Sequence, residues 1–150
     1  MAVGALVKKI QNIMREDAGI NGNAQRIEQM VWMFFLKIYD AKEEEWELVQ
    51  DGYESIIPDE MKWRNWAIDN SDGKALTGDD LLNFVNNELF PTLSNLTITR
   101  QTTQGQAIVR YAFESAHNYM QDGILLRRVI NAINEEVDFA EYKEVHAFGE

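Results

Sequence analysis

The residues that follow Pro58 include types that could cleave a phosphodiester bond. Asp59, Glu60 and Lys62 supply the two acids and the cation with which a metal-dependent nuclease holds a metal ion and a phosphate. In such enzymes these residues sit apart on a hairpin, so that their side chains converge on the metal. Here they fall within one turn behind a proline and cannot converge. Because Pro58 suits the first turn of a short helix, we predict that helix in place of a nuclease site.

Other residues with catalytic potential lack the partners that their chemistry requires. The chain has two histidines, His117 and His146, and no cysteine, whereas a metal site needs several converging ligands. Neither Ser55 nor Ser115 has a base at a recognisable spacing. We therefore predict no catalytic, cofactor-binding or metal-binding residue, and a structural or surface role for both histidines.

Residues 62–66 form the segment that most suggests a function. In this segment the cations Lys62 and Arg64 alternate with the aromatic rings of Trp63 and Trp66. This pattern suits contact with a nucleic-acid backbone or with another protein. The alternative is that the two tryptophans, three residues apart on one side of a turn, fill the core beside an exposed basic turn. Both interpretations remain open for Lys62 and Arg64.

A second pair of cations, Arg127 and Arg128, lies on a predicted amphipathic helix. Adjacent arginines could contact DNA or another subunit, although such a pair more often belongs to a solvated or salt-bridged helix face. We include both in the candidate DNA or subunit interface.

The charge balance limits how the protein could contact nucleic acid. Its formal net charge is −11 at pH 7, whereas a protein that binds nucleic acid through its whole surface is normally basic. A DNA contact would need a local basic patch or a basic partner. The longest apolar run, residues 30–36, is far shorter than the roughly 20 residues of a membrane span, and the N-terminus lacks a signal-peptide pattern. We expect a soluble, cytoplasmic protein.

Hydrophobic periodicity predicts the elements that position these residues. A first helix is expected from about Val3 to Glu16, and a second helix from an N-cap at Asn23. The middle of the second helix is apolar nearly all round, which predicts burial on most sides and a central place in the core. Its predicted main stripe consists of Ile27, Met30, Val31, Phe34, Phe35 and Ile38.

Further helices are expected beyond the tryptophan-containing connection. Thr77 is the predicted N-cap of a helix with Asp79 and Asp80 in its first turn, where the helix dipole favours acids, and Pro91 is predicted to stop or cap its end. Two more helices follow, the second from Asp122, and residues 138–150 should start a further helix or turn. The sequence predicts a single all-α domain over residues 1–150, an irregular bundle of about five to six helices with a loop-rich, Trp-containing connection.

Several stretches carry a family resemblance that extends, in order, over almost the whole chain. They are Phe35-Leu36-Lys37, residues 51–67 (DGYESIIPDEMKWRNWA), residues 76–91 (LTGDDLLNFVNNELFP), residues 118–127 (NYMQDGILLR) with 129–131 (VIN), and residues 139–150 (FAEYKEVHAFGE). Together they resemble the N-terminal domain of the modification (HsdM) subunits of type I restriction–modification systems. None is a catalytic signature, but the long second, third and fourth stretches are together quite specific.

The resemblance implies a helical domain that precedes a Rossmann-like catalytic domain, which binds S-adenosylmethionine and methylates adenine at N6 in a bipartite DNA site. It also implies assembly of two modification subunits with one specificity subunit and, in some systems, a restriction subunit. The N-terminal domain of this family is expected to help close the complex around DNA and to contact other subunits.

The chain departs from the full family pattern in the part that performs catalysis. It has no Asn-Pro-Pro-(Phe/Tyr) motif, which holds the flipped adenine, because Pro58 and Pro91 are its only prolines. It also lacks the glycine-rich cofactor loop. We therefore expect the catalytic domain to be absent and the chain alone to be inactive as a methyltransferase. The alternative is a free-standing, non-enzymatic helical protein-interaction module.

Overall fold

The regular elements of the described chain are all helical. The computed structural model describes residues 3–70 and 72–136, and within these ranges there is no β-strand. The predicted all-α class is confirmed. Residues 138–150, where a further helix or turn was expected, lie outside the described residues. The helices are α1 (Val3–Met14), α2 (Gly22–Val49), α3 (Trp63–Trp66), α4 (Gly78–Phe84), α5 (Phe90–Ser94), α6 (Gln104–Ser115) and α7 (Gly123–Glu136).

Three helix pairs and one tryptophan organise the core. α1 and α4 both pack against α7, and α5 packs against α6. Trp32 of α2 lies edge-on to Phe90 with ring centroids 5.0 Å apart, and it also meets Phe113 at 6.3 Å. Edge-to-face aromatic contacts of this kind add to the free energy gained from burial. Trp32 therefore joins α2, α5 and α6.

The apolar faces of α1 and α7 are those that their sequence periodicity predicts. Ile10 and Met14 of α1 are fully buried, as are Leu126, Val129 and Ile133 of α7. Residues three and four apart share one face of a helix, so each helix turns a continuous apolar stripe toward the other.

The N-terminus of α2 differs from the prediction. The helix begins at Gly22, and Asn21 rather than Asn23 is the N-cap residue. The side-chain oxygen Oε1 of Gln25 accepts the backbone N–H of Asn21 at 2.7 Å. This contact supports the helix start before Asn23, whose predicted N-cap role was therefore wrong.

The buried face of α2 also differs from its predicted stripe. Met30, Trp32, Met33 and Leu36 are buried, whereas Ile27 is 52% exposed, Val31 59% and Ile38 38%. The prediction that these last three residues belong to the core was wrong. The middle of α2 is apolar all round, but the other described elements cover one side of it.

Pro91 does not end its helix, contrary to the prediction. A π-helical turn, Val85–Leu89, joins α4 to α5, and Pro91 lies in the first turn of α5. A proline is tolerated there because the missing N–H would have no helical acceptor after the wider turn. Thr77 occupies the predicted N-cap position of α4, although its side chain makes no capping hydrogen bond.

The start of α7 is fixed by two aspartates. Asp122 caps it, because its Oδ1 accepts the backbone N–H groups of Ile124 at 2.9 Å and Leu125 at 3.1 Å. Asp17 lies in the loop after α1 and is 3% exposed. Its carboxylate accepts the N–H groups of Gln121 and Asp122 at 2.9 to 3.0 Å. This carboxylate joins the α1–α2 loop to the N-terminus of α7.

Candidate nucleic-acid and subunit interfaces

The two tryptophans of the candidate interface lie inside the protein. Trp63 is 2% exposed and Trp66 is 5% exposed, and their rings meet with centroids 5.3 Å apart. Nε1 of Trp63 donates to Oδ1 of Asn134 at 2.8 Å, and Nε1 of Trp66 donates to the carbonyl oxygen of Met61 at 3.0 Å. This burial supports the core-filling alternative for both rings.

The two cations beside these tryptophans pair with acids of the same chain. Nζ of Lys62 lies 3.0 Å from Oδ1 of Asp59 and 3.8 Å from Oε1 of Glu47. Arg64 donates through Nε to Asp40 at 2.9 Å and through Nη1 to Glu47 at 3.1 Å. Ion pairs therefore hold the turn that carries Lys62 and Arg64 against the acidic second half of α2.

The pKa values of Arg64 and Asp40 are both raised in the folded protein. Removal from water raises the pKa of Asp40 above its ordinary value, although the hydrogen bond from Arg64 opposes that shift. Burial also acts to lower the pKa of Arg64, but the hydrogen bonds to Glu47 and Asp40 outweigh it and the pKa is raised. Arg64 therefore stays charged and serves as the counter-ion of two carboxylates.

The adjacent arginines of α7 occupy opposite environments. Arg127 is 6% exposed, and its guanidinium donates to the carbonyl oxygens of Leu76 and Ala67, each at 2.7 Å. Burial lowers its pKa from the ordinary arginine value. Arg128 extends to the surface with 53% of its side chain exposed, where Nη1 lies 3.6 Å from Oε2 of Glu16.

A basic groove lies where α1 meets α7 beside Arg128, and we call it the α1/α7 groove. Its volume is about 450 Å³. Three of its lining residues are basic and one is acidic, in a chain whose formal net charge is −11. It is a local basic patch of the kind that a DNA contact by so acidic a chain would require. The lining residues are Ala5, Lys8, Lys9, Asn12, Ile13, Glu16 and Arg128.

Of the six residues predicted from sequence, the structure places Arg128 in this groove, while the other five lie around α3 or in the core. The sequence pattern did not single out Lys8 and Lys9. Their position on the polar side of an amphipathic first helix was predictable, but their proximity to Arg128 follows from the packing of α1 on α7. Whether any of these residues contacts DNA or a subunit stays a prediction.

The exposed side of α2 forms an apolar surface with α6, which we call the α2/α6 apolar face. Two shallow grooves of about 250 Å³ and 260 Å³ run along it, and Phe35 lines both. Ile108 is 48% exposed and Tyr111 57% on the α6 side. The sequence did not predict this surface, because a helix that is apolar all round is normally assigned to the core. The face is defined by Ile27, Val31, Phe35, Ile38, Ile108 and Tyr111.

A buried carboxylate anchors the loop that follows α2. Glu43 is fully buried, and its Oε2 accepts hydrogen bonds from the Tyr53 hydroxyl at 2.7 Å and the Ser55 hydroxyl at 2.6 Å. Burial, and then the hydrogen bond to Glu43, raises the pKa of Tyr53 to about 12. This contact positions the segment that leads to α3.

Metal-binding and membrane-spanning features are both absent from the described part of the chain. Across residues 3–70 and 72–136, no three histidine, aspartate or glutamate side chains come close enough to hold a metal ion. Over the same ranges, no helix has both the length and the apolar character needed to cross a bilayer.

A helical fold with a basic groove and an exposed apolar face has the features of a binding or assembly domain. The chain belongs to the HsdM N-terminal domain family, whose profile matches residues 3–133. The resemblance proposed from the sequence motifs is confirmed.

Known proteins with the same domain agree with this assignment. The chain is 50% identical to the type I restriction enzyme EcoEI methylase subunit of Escherichia coli over 150 residues, which are 100% of this chain and 30% of that protein. A crystal structure of a modification subunit of a putative type I restriction enzyme from Vibrio vulnificus YJ016 superposes with a TM-score of 0.82 at 31% identity, over 96% of this chain and 32% of that one.

A second solved structure comes from work on the complex assembly and conformational transition of the type I restriction–modification system. It matches with a TM-score of 0.74 at 30% identity, and the match covers 93% of this chain and 26% of that one. The chain thus spans about a third or less of the length of each of these relatives.

Proposed function

We propose that this chain is the N-terminal assembly and DNA-clamping domain of a type I restriction–modification DNA methyltransferase subunit, and that the full subunit methylates adenine at N6. The α1/α7 groove carries this proposal, because it concentrates Lys8, Lys9 and Arg128 on an otherwise acidic domain. The Escherichia coli relative is a methylase subunit, which supports the class of reaction. The adenine-N6 position rests on the family resemblance.

The methyl donor of the full subunit would be S-adenosylmethionine, bound outside this domain. The described residues offer no strand followed by a glycine-rich turn, which is the arrangement that a Rossmann-like fold uses for such a cofactor. These residues therefore do not fit the cofactor, and we assign them no step of methyl transfer. Base extrusion and chemistry would occur in the catalytic domain.

In this proposal the groove contacts DNA through its phosphates. Lysine and arginine contacts to phosphate fix a protein on the duplex without reading its sequence, and the sequence would be read by the specificity subunit. The exposed pair between Arg128 and Glu16 at 3.6 Å contributes little to stability, so Arg128 can exchange it for a phosphate at small cost.

The other predicted interface residues act indirectly in this proposal. They hold the connection between α2 and α4 against the bundle; these residues are Lys62, Trp63, Arg64, Trp66 and Arg127.

The partners of the domain would be the specificity subunit, a second modification subunit, in some systems a restriction subunit, and DNA within the complex. We propose that this complex acts in the cytoplasm.

Fluorescence anisotropy of labelled duplex DNA across a salt series tests the proposal. Replacing Lys8, Lys9 and Arg128 with alanine should weaken binding and reduce the slope of log K against log salt by about 0.9 for each phosphate that the protein no longer neutralises. A variant with Lys74→Ala and Arg100→Ala, two exposed cations elsewhere, is the control for a nonspecific decrease in positive charge. Its decrease in affinity per substituted cation should be smaller.

The result also discriminates between the two candidate functions. An equal decrease in affinity per cation in the groove variant and the control would remove the groove from the proposal. Absence of binding by the unmodified chain even at low salt would favour a domain that docks onto protein partners. The second candidate is favoured by one observation, the exposed α2/α6 apolar face.

A further inference from the structure

The α1/α7 groove contains an acid among its cations. Of the described residues that line it, the acidic one is Glu16, whose Oε2 lies 3.6 Å from Nη1 of Arg128. Lys8 and Lys9 are the other charged residues of this lining. The charge of Glu16 therefore opposes the approach of a phosphate that the three cations attract.

The stability of α1 does not explain an acid at position 16. The C-terminal end of a helix carries a partial negative charge, which favours cations and disfavours carboxylates, and α1 ends at Met14. Arg15 suits this position, and its Nη1 donates to the neutral side-chain oxygen of Asn12 at 2.8 Å. Glu16 does not suit it. The contact that distinguishes Glu16 is the one with Arg128 across the groove.

The loop that follows Glu16 keeps this residue beside α7. The next residue, Asp17, is 3% exposed, and its carboxylate accepts the backbone N–H groups of Gln121 and Asp122 at 2.9 to 3.0 Å. These hydrogen bonds fix the backbone next to Glu16 relative to the first turn of α7. The fold therefore places Glu16 within reach of Arg128.

A glutamate carboxylate and a DNA phosphate are equivalent partners for an arginine. Each presents anionic oxygens to the N–H donors of the guanidinium, and arginine pairs with both in the same two-pronged geometry. DNA that reaches Arg128 must therefore displace Glu16 from it. The two side chains are 53% and 60% exposed, so the exchange takes place at the surface.

We propose that Glu16 competes with DNA for Arg128 and thereby limits the affinity of the α1/α7 groove for duplex DNA. This inference rests on the proposed function, because it concerns the regulation of the same groove. An exposed ion pair of this kind corresponds to a factor of up to about five in affinity.

A competitor of this strength suits a domain that must also release DNA. Contacts to phosphate do not read the sequence, so strong binding by the groove alone would hold the complex at any site. Glu16 keeps the contact weak in the isolated domain. Within the complex, attachment to a subunit already bound to DNA raises the effective concentration of DNA at the groove and offsets the competition.

A double-mutant cycle tests the competition, with fluorescence anisotropy of labelled duplex DNA at about 0.1 M salt as the measurement. Glu16→Gln preserves the size of the side chain and removes its charge, and it should strengthen DNA binding about two- to fivefold. In the Arg128→Ala background the same substitution should have a clearly smaller effect, because the cation for which Glu16 competes is gone. Matching thermal unfolding midpoints establish that the variants are folded.

Two controls separate competition from a general change in charge. Glu44→Gln removes another exposed carboxylate, on α2, and should change the affinity less than Glu16→Gln does. Lys8→Ala provides a second background, because Lys8 lines the groove but lies eight residues before Glu16. That separation is about 12 Å along a helix, which exceeds the Debye length of about 10 Å at 0.1 M salt. The effect of Glu16→Gln should persist in this background.

Two results would overturn this inference alone. Equal effects of Glu16→Gln in the unmodified and Arg128→Ala backgrounds would mean that Glu16 acts through overall charge. Binding that depends on Lys8, Lys9 and Arg128 but does not respond to Glu16→Gln would exclude the competition and leave the proposed function in place. Absence of binding by both the unmodified chain and the Glu16→Gln variant would overturn the DNA-clamping proposal together with this inference.

Discussion

Nη1 of Arg127 donates to the carbonyl oxygen of Ala67 at 2.7 Å, which joins the middle of α7 to the residue that follows α3. Nε of the same guanidinium donates to the carbonyl oxygen of Leu76 at 2.7 Å. One buried cation thus satisfies both ends of the loop that connects α3 to α4. Backbone carbonyl groups buried without a donor are costly, so this arginine is a structural element of the fold.

Replacing Arg127 with methionine should destabilise the protein strongly. The carbonyl oxygen of Leu76 would lose the Nε donor, and that of Ala67 would keep only Nδ2 of Asn134 at 3.1 Å. We expect the free energy of unfolding to fall by about 2 to 4 kcal/mol. Urea unfolding followed by tryptophan fluorescence measures this change.

Arg128→Ala is the matched control for that experiment, because it removes the neighbouring, exposed guanidinium. Surface substitutions usually change stability by no more than about 0.5 kcal/mol. Similar decreases in stability for the two variants would mean that the hydrogen bonds of Arg127 do not stabilise the fold in the way proposed.

Alanine at Gly19 or Gly123 should also destabilise the fold. A Cβ atom at Gly123 would lie 1.9 Å from the carbonyl oxygen of Gly78, and one at Gly19 would lie 2.2 Å from the carbonyl oxygen of Tyr119. Because backbone atoms cannot move aside as a side chain can, we expect each substitution to cost about 1 to 3 kcal/mol or more. Thermal unfolding of each variant measures the decrease in stability.

Gly4 provides the control for the glycine substitutions. It lies in α1, and a Cβ atom there would have nothing within 4 Å. Gly4→Ala should therefore be neutral or stabilise α1 by up to about 1 kcal/mol. Unchanged stability of the Gly123→Ala variant would contradict the close approach of α4 and α7.

The contact between Tyr53 and Glu43 should make stability depend on pH in the alkaline range. The pKa of Tyr53 is raised from 10.0 to about 12 in the folded protein, so between these values the folded state retains a proton that the unfolded state releases. Stability from this group is fully present below about pH 10 and is lost as the pH rises toward 12. Urea unfolding from about pH 8 to about pH 12 measures the decline.

Tyr53→Phe separates this contribution from others. The variant should be less stable near pH 8, roughly two units below the ordinary tyrosine pKa, because Oε2 of Glu43 loses a hydrogen-bond donor. Its stability should fall less steeply in the alkaline range. Burial also raises the pKa of Tyr39, so a residual decline is expected. A decline equal to that of the unmodified protein would show that Tyr53 does not titrate as described.

The elements of this fold were predictable where one face of a helix is apolar and the other polar. Ile10 and Met14 on α1, and Leu126 and Ile133 on α7, are buried as their spacing predicts. Asp122 was recognisable as the start of α7, because aspartate is a favoured N-cap residue.

The elements that were predicted wrongly depend on packing between residues distant in sequence. Val31 is apolar, and the amino-acid sequence alone does not show that the other described elements leave it exposed. Pro91 would end most helices, but here a π-helical turn precedes it. For the candidate site, Arg127 and Arg128 have the same side chain, and only the packing of α7 decides which one is buried.

The measurement that tests the central claim most directly is methyl transfer by a full-length modification subunit assembled with its specificity subunit. Transfer from S-adenosylmethionine to DNA would be measured with alanine at Lys8, Lys9 and Arg128, beside the control with alanine at Lys74 and Arg100. A DNA-clamping domain predicts a higher KM for DNA in the groove variant and an unchanged kcat at saturating DNA. Equal KM values in the groove variant, the control and the unmodified complex would contradict the claim that this domain holds DNA through the α1/α7 groove.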